Sequence, residues 1–259
     1  MSIVSKSSRL KIKRANSHID TLIKHSAPLS RDLYEIGVER ARTHVLLANP
    51  DCFELTYRPK EPISQLFGCI IGDAVNNLRE SLDYWITAAI IGATGATGVT
   101  GKQPNFPFHD KWEDFKATGR YRSVEKAFPD LADFIFTNVQ PCRDMNLDLW
   151  AITSLCNDNK HNDFVPIVSI ACVAGINATI GTNRMKDCAA GGNADKPIKL
   201  IMSNSPIAIE NNFSTTADIK FPKGAVFENQ PVIPTLLHLS QVTTKTIDAL
   251  DRFIEPYIK

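Results

Sequence analysis

The sequence predicts an α+β fold: a helical bundle with a β-hairpin and an antiparallel β-layer inserted before the C-terminal helix. Three observations carry this reading. Apolar residues recur every three to four positions over 7–27, 62–91, 144–161 and 234–254, the period of helices that bury one side. Apolar and polar residues alternate over 38–59 and across much of 164–232, the period of strands. Helical stretches stand both before and after the long β-region, so that region is expected to be an integral layer of one domain spanning 1–259.

The elements follow in order. Residues 7–27 place Ile12, Ala15, Ile19, Leu22 and Ile23 on one side of a helix and Lys6, Arg9, Lys13 and Lys24 on the other. Asn49-Pro50-Asp51 is a turn signal between two β-capable runs, which predicts a hairpin over 38–59. Pro62 suits the first position of the next helix, whose stripe runs through Phe67, Ile71, Ala74, Leu78, Leu82, Trp85 and Ala89. The low-complexity run GATGATGVTG at 92–101 reads as a loop. Phe106-Pro107-Phe108 is expected to be extended, with short helical pieces at 111–118 and 130–138 after it. Gln140-Pro141 breaks the chain before the helix at 144–161. Four to six antiparallel strands are expected over 164–232, forming with the hairpin a sheet that covers the bundle. Pro234 then opens the last helix.

Composition excludes more than it selects. The 259 residues carry 29 Lys+Arg against 28 Asp+Glu, a net charge of +1, which argues against a protein that coats nucleic acid or an anionic membrane. That neutrality is an average, because residues 1–25 hold six basic residues against Asp20 alone. Such a face could touch a phosphate backbone, although a solvated helix face is the plainer account. No apolar stretch approaches the 18 or so residues of a membrane span, and MSIVSKSSRLKIKR lacks an apolar signal-peptide core. A soluble, cytoplasmic protein is therefore expected. The six cysteines contain no CxxC pair, and several stand in apolar runs, such as Cys69 and Cys172, so buried free thiols are expected. The six histidines form no HxH or HxxxH pair, and no metal or other cofactor is expected. Glycine-loop nucleotide motifs and the GxSxG elbow are absent.

Chemistry concentrates on two helices. Gly72, Asn76, Arg79 and Asp83 fall at i, i+4, i+7 and i+11, one ridge at the margin of the apolar stripe, where another helix could approach over Gly72. Ser154, Asp158 and His161 share a face on 144–161, and a histidine in a last turn is favoured by the helix C-terminus. If these helices pack, Arg79, Asp83, Asp158 and His161 could meet in one polar pocket. The competing account is a satisfied hydrogen-bond and ion-pair network over Asn76, Arg79, Asp83, Asp158 and His161 that fixes helix register and does no chemistry.

The order GDAVNNLRESLDYW, NFPF, VQPC and LCNDNKHNDF resembles an uncharacterised bacterial and phage family. Its members carry G-D-A-x-x-N-L-R-x-x-L-D-H, an F-P element, Q-P-Y and L-x-x-x-D-K-H. The resemblance spans about residues 7–165 and is looser beyond. Gly72, Asp73, Asn77, Leu78, Arg79, Leu82 and Asp83 match the first motif, Gln140 and Pro141 the third, and Lys160 with His161 the fourth. Tyr84 stands where the family has His, Cys142 where it has Tyr, and Asn159 where it has Asp, beside Asp158.

A more distant resemblance is to the HEPN ribonuclease superfamily, in which an arginine and a histidine have four to six residues between them. The resemblance implies a histidine acting on the 2′-hydroxyl and an arginine stabilising the scissile phosphate. Here Arg79 is followed by Leu82-Asp83-Tyr84 with no histidine, so His161 would have to serve from the neighbouring helix.

Two functions follow as expectations. One is a non-catalytic binding or interaction protein linked to phage–host conflict, with Asn76, Asn77, Tyr84 and Lys160 as binding residues. The alternative is a HEPN-like, metal-independent ribonuclease using Arg79 and His161, assisted by Asp83 and Asp158. The expected partner is a protein, an RNA or a second copy of the chain, and no membrane.

Overall fold

Burial on one side of each helix builds the architecture. The computed structural model describes residues 5–26, 34–41, 52–59, 64–94, 105–161, 167–190, 198–210 and 214–258. Helix α1 (Lys6–Ser26) buries Ser8, Ile12, Ala15, Ile19 and Leu22, the spacing of a single stripe. Helix α2 (Leu66–Thr94) buries every apolar residue of its predicted stripe, from Phe67 to Ala89. Its expected start at Pro62 and the expected turn at 49–51 lie outside the described residues.

Short pieces follow: a 3-10 turn at Phe115–Ala117, α3 (Gly119–Ala127), α4 (Pro129–Phe134) and a π-helical turn at Ile135–Val139. Thr118 starts α3 by accepting the Tyr121 N–H at 3.2 Å. Gln140 ends the π-turn at φ +52°, left-handed backbone, before Pro141. Helix α5 (Leu147–His161) is opened by the Asn146 side chain, which accepts the Leu149 N–H. Helix α6 (Val232–Ile254) starts two residues before Pro234, which the first turn tolerates because its N–H needs no helical partner.

Helices α1, α2, α5 and α6 form one core with Phe106, Phe115, Tyr121 and Phe128. Helix α1 runs antiparallel to α2, since Lys11 meets Glu80 and His25 meets Phe67. It is also tied to α6, where Arg9 reaches Asp248 at 2.7 Å and Asp251 at 2.6 Å, and Asn16 accepts the Ser240 hydroxyl at 2.6 Å. Trp85 of α2 donates its indole N–H to the other oxygen of Asp251 at 2.8 Å. No described helix is long and apolar enough to cross a membrane.

The strands depart from the expected single sheet. β1 (Tyr34–Ala41) and β2 (Cys52–Pro59) form the hairpin, and β5 (Ile198–Ser203) pairs with β2 rather than with its sequence neighbours. The second sheet is centred on β3 (Ile167–Ile180), with β4 (Asn183–Ala190) on one side. On its other side β6 (Ile207–Ile209) and β7 (Ser214–Lys220) cover successive stretches. The sheets share a small core of Leu55, Tyr57, Val173, Ile176, Ala178 and Ile207. The join to the bundle is Ile219 of β7 with Phe221 and Phe227 after it, all three in the helical core.

The described cysteines are all free. Cys52, Cys142 and Cys156 are buried as expected, but Cys69 is exposed, because it falls on the outer side of α2, and Cys172 lies outside the described side chains. Burial pushes the Cys142 thiol up to about 11, so it stays protonated at neutral pH.

Asp251 receives charge-assisted bonds from two other helices. Asp251→Ala is expected to cost about 2–3 kcal/mol, and Asp248→Ala, whose side chain is far more open, under about 1 kcal/mol. Urea unfolding midpoints of the two variants check this order.

Candidate functional site

The geometry of α2 puts Asn76, Arg79 and Asp83 on one ridge, and that ridge faces α5 and the segment at 105–109. The Asn76 Oδ1 accepts the Cys156 thiol at 2.8 Å, and one Arg79 Nη donates to the Thr153 hydroxyl at 2.5 Å. These two bonds also set α5 antiparallel to α2. The second Arg79 Nη lies 3.3 Å from Asp83 Oδ1, and the same oxygen accepts the Phe106 N–H at 2.7 Å. The Phe108 ring lies under the guanidinium, 4.7 Å from Cζ, a cation–π contact. Arg79 is 8% exposed, and its Nε is buried without a partner among the described residues.

The seam therefore joins Asn76, Arg79 and Asp83, as the spacing predicts, but with Thr153 and Cys156 rather than with Asp158 and His161. His161 ends α5, eight residues beyond Thr153, about 12 Å further along the helix axis and away from Arg79. The side chains of Lys160 and His161 lie outside the described residues. Asp158 is half-buried and makes no hydrogen bond with another described residue, and burial raises its pKa.

A second feature opens on the outer side of α2. Between α1 and α2 runs a groove of about 690 Å³. Helix α1 contributes Ser7, Leu10, Lys11, Arg14 and His18 to it. Helix α2 contributes Asp73, Asn76, Asn77, Glu80 and Tyr84. Both sets fall at i, i+3, i+4, i+7 and i+11, so each helix lends one stripe over three turns, about 16 Å. Three of the predicted binding residues, Asn76, Asn77 and Tyr84, thus share one wall.

The polar groups of the groove are unequally committed. Lys11 pairs with Glu80 at 2.5 Å and lies 5.1 Å from the Tyr84 ring centroid; the bond to Glu80 raises its pKa. Asn77 donates its amide to the Asp73 carbonyl at 2.8 Å, which leaves its Oδ1 open. Asn76 spends its Oδ1 on the seam, which leaves its amide N–H groups open. Arg14, His18 and the Asp73 carboxylate form no hydrogen bond or ion pair with another described residue, so both signs of charge are available, on opposite walls.

Lys11, Arg14, His18, Asp73 and Glu80 were not predicted as site residues. The signal was present in the matching polar stripes of the two helices, but single-helix periodicity does not say that two stripes face a common space. Compared with protein-family models, curated proteins and solved structures, the chain matches none.

Two outcomes test the seam. Arg79→Ala is expected to cost about 3 kcal/mol, and Arg79→Lys to recover little of it, because an ammonium cannot span Thr153 and Asp83 as the guanidinium fork does; thermal unfolding reads both. For Asp158, a folded pKa above the unfolded one means that the folded state holds the proton more tightly, so this group weakens the fold once pH passes the unfolded value. Asp158→Asn should therefore raise the melting temperature at pH 7, and the gain should vanish below about pH 4.

Proposed function

We propose that the chain is a non-catalytic binding protein and that the groove between α1 and α2 is its contact surface. The observation that carries this reading is the division of polar groups around α2. Arg79 and Asp83 are engaged by Thr153, the Phe106 backbone and each other, behind a seam that leaves Arg79 almost no exposure. Asn76, Asn77 and Tyr84 face open space together with uncommitted charges. A buried arginine held in this way fixes helix register. An open groove with unspent donors and acceptors is what a partner needs. A role in phage–host conflict rests on the motif resemblance and belongs to the same proposal.

The expected result is that RNA incubated in EDTA is not cleaved, and that His161→Ala changes nothing. Native mass spectrometry of the protein purified from its own host should show added mass on the wild type. That mass should be lost from Arg14→Glu, a change at an exposed side chain that should leave the melting temperature within about 1 °C. A bare monomer in the wild type would overturn the proposal. Cleavage abolished by His161→Ala would also overturn it, in favour of the metal-independent ribonuclease.

A further inference from the structure

We infer that the occupant of the α1–α2 groove is a second copy of this chain, seated by a two-fold axis that runs along the groove. The inference rests on the reading of the groove as a contact surface. It adds the identity of the partner and the symmetry of the contact.

The argument begins with charge. The α1 wall is cationic through Arg14, with His18 beside it, and the α2 wall carries Asp73 and the Lys11-bound Glu80. The antiparallel pairing sets Arg14 level with Asn77 and His18 level with Asp73. An isologous contact makes residue i of one copy meet residue j of the other, and j meet i. A two-fold axis along the groove brings each α1 wall over the α2 wall of the partner. Arg14 then lies within one helical turn of both acidic residues, and His18 faces Asp73, each twice. An axis across the groove would instead set α1 against α1, with Arg14 facing its own copy, which is repulsive.

Hydrogen bonding points to the same arrangement. Each copy leaves an amide donor on Asn76 and a carboxamide acceptor on Asn77 unspent, on adjacent residues in the middle of the α2 wall. The axis along the groove sets the open Asn77 Oδ1 level with the Arg14 guanidinium of the other copy, a donor for that acceptor. The apolar groups also agree. Leu10 and Tyr84, 59% and 46% exposed, stand at the same end of the groove on opposite walls. The axis along the groove lays each Leu10 over the Tyr84 of the other copy. The four helices then form a bundle in which every neighbour is antiparallel.

The test is the mass in solution of the full chain, by light scattering after gel filtration at micromolar concentration in 50 mM and 500 mM salt. The wild type should be a dimer that weakens as salt rises. Arg14→Glu should weaken it roughly 100-fold, since like charges then face each other at two symmetric places. Asp73→Arg on its own should do the same by the mirror route. The double change Arg14→Glu with Asp73→Arg should restore the dimer, which general surface damage would not do. A dimer indifferent to all three variants would overturn the inference. So would a monomeric wild type, and the mass spectrum then separates the two proposals. A monomer carrying a smaller bound molecule that Arg14→Glu releases leaves the binding reading in place, whereas a bare monomer removes both.

Discussion

One carboxylate on α6 sets the spacing of the helices that matter. Asp251 takes the Arg9 guanidinium on one oxygen and the Trp85 indole N–H on the other. Arg9 belongs to α1 and Trp85 to α2, so a single side chain holds both walls of the groove from behind. Both bonds lie in a partly dry setting, where charge-assisted bonds are stronger than in water and a lost partner is expensive. On the other side of α2, two residues earlier, Asp83 does comparable work by receiving the Phe106 N–H and Arg79. Helix α2 is pinned between two carboxylates.

That pinning explains why polar residues on one helix have separate duties. The 100° turn per residue sends Arg79 and Asp83 into the seam and Asn77, Glu80 and Tyr84 to the groove. Asn76 lies on the boundary and serves both, with its oxygen on the Cys156 thiol and its amide toward the groove. The buried arginine is tolerable because three kinds of contact share its charge: a hydroxyl, a carboxylate and an aromatic face.

The parts of the fold that were legible are those with a period. The stripes of α1, α2 and α6 announced their buried sides, except that Ile23, placed on the apolar side of α1, is 40% exposed, and the ridge Asn76–Arg79–Asp83 followed from helical spacing alone. Thr153 could not be read, because a hydroxyl on a helix buried at nearly every position in mid-course has no pattern to single it out. Phe106 acts through its backbone N–H, which every residue but proline possesses. The basic side of α1 read as a solvated face or a phosphate contact, yet Arg9 and Lys11 are engaged by Asp248, Asp251 and Glu80. Their partners lie far away in sequence, and local charge counting cannot find them. The transfer of β5 to the hairpin sheet was hidden for a related reason, since alternation says that a segment is a strand and nothing about its neighbour.

The distance that hid the Arg9–Asp251 bond from the sequence also orders events in time. It spans 242 residues, so its acceptor leaves the ribosome roughly 12 to 50 s after its donor. Until then α1 and α2 lack the carboxylate that braces them from behind. The nascent chain must keep two amphipathic helices from wrong partners for that whole interval, and contacts of such long range make the final closure slow. Helix α6, made well after α1 and α2, is therefore the one that commits them to their native spacing.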